Sequence, residues 1–107
     1  MHVVLERAAK RDLEAIALYL EGEAGLEVAE RFRFQTETAL TQLASMPLIG
    51  SLWPSNNPRL QDLRTWPIPG FRKYFVFYIS SLERIEILRI LHGARDVSAI
   101  LKGQRGE

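Results

Sequence analysis

Apolar positions recur at helical spacing through the first half of the chain and at strand spacing through its last third. Val3, Val4 and Leu5 open it as a β-prone run, long enough only for a short strand that pairs with something later. From Ala8 to about Gly22, Leu13, Ile16, Ala17 and Leu20 fall at i, i+3, i+4 and i+7, with Arg11, Glu14 and Glu21 off that stripe. This spacing predicts an amphipathic helix. Gly22 and Gly25 punctuate the chain, and Ala29, Phe32, Thr36, Ala39, Leu40 and Leu43 then repeat the pattern, predicting a second helix over Leu26–Ser45. So short a connection favours an antiparallel hairpin, and Pro47 with Gly50 stops the second helix.

Residues 46–62 lack periodicity and carry Pro47, Gly50, Pro54, Asn56, Asn57 and Pro58, the composition of a loop. Its apolar members Leu48, Ile49, Leu52 and Trp53 are expected to pin it to the body of the protein. Three strands follow: Leu63–Ile68, Arg72–Ser80 and Arg84–His92, joined by a Pro-Gly turn and a short Ser81-Leu82-Glu83 connection as an antiparallel meander. In the middle strand Phe75, Phe77 and Ile79 alternate with Arg72, Tyr74, Val76 and Tyr78. The first set forms the more apolar face, so the helix hairpin is expected to cover it. The pattern predicts an α+β fold: a short first strand joined to the meander, and two helices packed on one side of the sheet. Asp96–Lys102 allows one or two helical turns, capped by Asp96 or Ser98.

Composition narrows the function. A length of 107 residues suits one domain spanning the whole chain, and 47% hydrophobic with 25% charged residues is the balance of a globular protein. The absence of cysteine excludes disulfides, thiolate metal sites and cysteine nucleophiles, and points to the cytoplasm. Even a wholly apolar run such as Tyr74–Ile79, which no other exceeds, is far short of the ~20 residues that cross a bilayer, so no membrane association is expected. A net charge of +1 hides an asymmetry: residues 1–58 carry five basic and eight acidic side chains, residues 59–107 nine basic and five acidic. The strand-rich half therefore suits an acidic partner or a nucleic-acid-associated target, or is a solvated surface.

Two histidines, His2 and His92, on different elements are too few for a catalytic triad or a multi-histidine metal site. No glycine pattern for cradling phosphates occurs, so neither metal nor cofactor is expected. What remains is Arg72, Tyr74, Tyr78, Arg89, His92, Arg95 and Asp96 in the last third. Guanidinium groups bind phosphate, tyrosine stacks on bases or moves protons, and histidine titrates near neutrality, so a metal-free RNA-cleaving site is chemically conceivable. The same residues also read as structure. On an otherwise apolar strand Arg89 calls for a carboxylate, Asp96 or Asp12; Tyr74, Tyr78 and Trp66 suit packing; His92, before Gly93, suits a hydrogen bond to the turn.

In order along the chain, Ala9–Leu20 (AKRDLEAIALYL), Leu43–Gly50 (LASMPLIG), Leu60–Pro67 (LQDLRTWP), Phe71–Tyr78 (FRKYFVFY) and Ile87–Asp96 (ILRILHGARD) resemble the ParE branch of the ParE/RelE toxin superfamily. The likeness covers about residues 3–100 and is strongest in Leu91–Asp96. It implies the toxin half of a bacterial type II toxin–antitoxin (plasmid stabilisation) module, acting on DNA gyrase and neutralised in a hetero-oligomer by a cognate ParD-like antitoxin. RelE-like relatives instead cut messenger RNA on the ribosome, for which Arg72, Tyr78, Arg89, His92 and Arg95 would be the catalytic candidates; a third outcome is a member that has lost toxicity. The stretch after Asp96 carries no tyrosine and only Lys102 and Arg105 as basic residues, which weakens the nuclease reading. No sequence-specific nucleic-acid binding is expected. Tyr74, Val76 and Tyr78 on the strand, with the off-stripe Leu18 and Phe34, are the surface expected to meet the antitoxin.

Overall fold

A computed structural model describes residues 1–102. Strand β1 (His2–Leu5) leads into helices α1 (Arg7–Ala24) and α2 (Leu26–Ser45), then strands β2 (Ser51–Leu52), β3 (Arg64–Ile68), β4 (Phe71–Ser80) and β5 (Arg84–His92), and finally helix α3 (Val97–Lys102). The sheet order is β1-β5-β4-β3-β2. The last four strands pair antiparallel with one another, while β1 lies parallel to β5 at the sheet edge. The α+β reading holds, with helices α1 and α2 on one sheet face.

The hairpin turns on one residue. Gly25 takes φ 99°, its N–H donating to Glu21 O at 3.0 Å and its carbonyl accepting from Ala29 N at 3.3 Å. It ends α1 and begins α2, a backbone state that a side chain would oppose. Strand β2 and a 3₁₀ turn at Pro58–Leu60 lie inside the segment expected to be loop. Two residues carry no periodic signal, so β2 is visible only through its pairing with β3. Within that segment Ile49 packs on the helix-side core and Trp53 meets Phe77 edge-on at 5.4 Å, whereas Leu48 and Leu52 stay exposed.

The faces of β4 are the reverse of the expectation. Val76 and Tyr78 point toward the helices and pack with Phe32, Ala39 and Leu43 of α2 and Ile85, Ile87 and Ile90 of β5. Phe77 faces the other way, into a second cluster of Leu60, Leu63, Leu88, Leu91, Val97 and Leu101, with Phe75 and Ile79 against it. A strand buried on both faces reads as a continuous apolar run, so alternation cannot tell which side the helices take. The cover on the second face comes from residues 53–63 and α3, whose N-terminus is capped by Asp96 accepting from Ala99 N at 3.1 Å.

Candidate functional site

Strand β5 carries one extra residue opposite β4. Phe77 pairs with Arg89 but Tyr78 with Ile87, leaving Leu88 unopposed as a bulge. Ile87 and Ile90, three apart, therefore both reach the helix-side core. Arg89 reaches α1, where its Nε and Nη2 donate to Asp12 Oδ2 and Oδ1 at 2.7 and 2.8 Å. Asp12 also accepts from Ile90 N at 2.9 Å. Its hydrogen bonds to Asp12 raise the Arg89 pKa still further, so the guanidinium stays charged. Of the two carboxylates expected to pair with Arg89, Asp12 is the one that does.

Tyr78 is equally committed to the fold. Its hydroxyl donates to Pro47 O at 2.8 Å and accepts from Gly50 N at 2.9 Å, with the ring fully buried. Arg64 Nη1 adds a bond to Gly50 O at 2.7 Å, so the turn after α2 is fastened to the sheet. Burial pushes the Tyr78 phenol up in pKa. Along the strand it lies about 13 Å from Tyr74.

The remaining residues gather at the opposite end of β4. A groove of about 360 Å³ opens there between α1 and the sheet. Ala15, Ile16, Ile90 and Leu91 supply apolar lining, and Tyr19, Tyr74, His92 and Arg95 bring polar or aromatic groups. His92 Nδ1 accepts from Ala94 N at 2.9 Å, fixing the tautomer that keeps the proton on Nε2. This is the turn hydrogen bond expected of it. Its ring meets Tyr74 edge-on at 4.9 Å. The Tyr74 hydroxyl has no hydrogen-bond partner among the described residues, and burial, with a smaller contribution from Tyr19, raises its pKa. Arg72 stands just outside, exposed at the start of β4 beside Lys73.

The structure thus divides the five candidate catalytic residues. His92 and Arg95 share the groove and Arg72 borders it, while Tyr78 and Arg89 are held elsewhere as structural supports. The expected partner surface divides too. Leu18 and Phe34 are exposed, 71% and 69%, but Val76 and Tyr78 are fully buried and offer nothing to a partner, because the helix hairpin covers their face. Tyr19 was missed; its signal was the Asp12, Ala15, Ile16, Tyr19 spacing, a second stripe beside the core stripe of α1. Arg105 lies outside the described residues.

A family model described as the ParE toxin of the type II toxin–antitoxin system, parDE, matches residues 3–97. The chain belongs to the ParE toxin family. Among solved structures, one described as the chromosomal ParDE toxin–antitoxin system from P. aeruginosa is similar with a TM-score of 0.70 and 24% identity, covering 86% of this chain and 95% of that one. At that identity the likeness speaks for the fold. A comparison with curated proteins found no match. Among the described residues no three histidine, aspartate or glutamate side chains converge as a metal site, and no helix is long and apolar enough to cross a membrane.

Proposed function

We propose that this ParE family toxin inhibits DNA gyrase by binding it, in the cytoplasm, and that a ParD-like antitoxin encoded beside it holds it inactive in a hetero-oligomer that stabilises the replicon carrying the pair. Family membership supports the toxin–antitoxin setting. The observation that favours inhibition by binding over RNA cleavage is the commitment of Tyr78 and Arg89 to Pro47, Gly50 and Asp12. A general acid or base must be free to exchange a proton with substrate, and neither of these groups is. The exposed Phe34 lies on an apolar groove of about 520 Å³ along α2 with Met46 and Ile49, a surface suited to an antitoxin helix.

The test is supercoiling by purified gyrase titrated with this protein free of antitoxin, read for loss of supercoiling and for trapped DNA breaks. Dose-dependent inhibition that the antitoxin reverses is the expected result. Unaffected gyrase with folded protein overturns the reading; cleavage of messenger RNA on ribosomes would then establish the nuclease, and normal growth without antitoxin a non-toxic member.

A further inference from the structure

Among the described residues, the polar side chains left free in and beside the α1–sheet groove are hydrogen-bond donors or cations. Arg72, Lys73 and Arg95 are exposed and have no ion-pair partner among the described residues. Arg95 lines the groove, while Arg72 and Lys73 line a shallower depression that shares Tyr74 with it; Tyr74 pairs with His92 across the sheet and Gly93 N donates to Lys73 O at 2.7 Å, which holds the start of β4 against the end of β5. His92 keeps Nε2–H free because Nδ1 is taken by Ala94 N. Tyr74, its phenol held protonated by burial, presents an unpartnered O–H. Among the described residues the carboxylate in the groove wall is Asp12, which is engaged by Arg89 and Ile90 N, and Asp96 is spent on capping α3. Beside these donors stands Tyr19, 59% exposed, at the mouth of a mostly apolar cavity.

We infer that this end of the molecule binds the phosphodiester backbone of single-stranded nucleic acid without reading its sequence. The inference goes beyond the gyrase reading and does not depend on it. Cations bordering an apolar slot with an exposed aromatic ring match a strand whose charges alternate with flat bases. Guanidinium and ammonium groups take phosphates, the His92 and Tyr74 donors add neutral hydrogen bonds, and Tyr19 supplies a stacking face. An acidic peptide would satisfy the cations but leave that face unused.

The experiment is fluorescence anisotropy of the purified, antitoxin-free chain with labelled oligothymidylate and oligouridylate of about ten nucleotides. Three phosphate contacts predict a log–log salt slope of about −2, or about 20-fold weaker binding on going from about 50 to about 200 mM salt. Arg72→Gln, Lys73→Gln and Arg95→Gln should each lower the slope by about 0.7, and Tyr19→Ala should weaken binding roughly tenfold at unchanged slope. Arg84→Gln, which removes the same charge at the far end of β5, should change neither. Tighter binding of the DNA or of the RNA arm tells which polymer the site prefers. No binding at about 50 mM salt, duplex bound as tightly as single strand, or an Arg84→Gln loss equal to the others overturns the inference. Failure of both oligonucleotides while polyglutamate binds also overturns it, and reassigns the surface to an acidic protein.

Discussion

A phenol in an apolar core is tolerated when its oxygen is satisfied, and Tyr78 satisfies it twice, as donor to Pro47 and acceptor from Gly50. Tyr78→Phe leaves the buried Gly50 N and the half-buried Pro47 O without this partner and should cost about 1–3 kcal/mol in denaturant unfolding. The phenol also sets an alkaline limit. Burial holds its folded pKa above the ordinary tyrosine value of about 10, so the folded state binds more protons, and the stabilisation is present below about pH 10 and lost as pH rises through the folded value. Melting temperature followed upward from about pH 9 should therefore fall less steeply in Tyr78→Phe than in the parent. Gly50 is bound to the same device. A Cβ there would stand 2.6 Å from Thr65 O and from the Tyr78 hydroxyl. Gly50→Ala should destabilise by at least about 1–3 kcal/mol, seen in the same unfolding experiment.

Between elements, the decisive feature is the single extra residue in β5. Without the bulge at Leu88, Ile87 and Ile90, three apart, would face opposite sides of the sheet. The Asp12–Arg89 fork ties α1 to the sheet with side chains only 13% and 19% exposed. Asp12→Ala, which strands a largely desolvated guanidinium, should cost about 2–4 kcal/mol. Asp12→Ala with Arg89→Leu should cost less than the two singles added, with a coupling of about 1–3 kcal/mol in a double-mutant cycle. Additive losses would show that the fork carries no pairwise energy. The bulge itself was not legible: an arginine among isoleucines and leucines signalled a buried partner, but Asp12 and Asp96 were equally good candidates until the helix was placed.

At the scale of the molecule, one sheet divides two apolar clusters, the first under the helix hairpin and the second under α3 and the 53–63 segment. Ile90→Val in the first should cost about 1 kcal/mol and Leu101→Ala in the second about 2–4 kcal/mol. With the sheet between them the two losses should add to within about 0.5 kcal/mol in thermal or denaturant unfolding. A larger departure would mean that the faces repack together.

Local periodicity was sufficient for α2 and β5, whose bounds of Leu26–Ser45 and Arg84–His92 the structure reproduces, and for the α+β order of elements. Those features depend on neighbours within a few residues, which the sequence displays directly. The ordered motifs from Ala9 to Asp96 likewise carried the ParE resemblance. Which face of β4 the helices cover, the pairing of β2, the choice of Asp12 for Arg89 and the division of the five candidate residues were decided only by tertiary structure. Each is a choice between locally equivalent options: two apolar faces, two carboxylates, five polar side chains of suitable chemistry. Such ties are broken by contacts between residues distant in the chain, Tyr78 with Pro47 or Arg89 with Asp12, and no local pattern records which of them form.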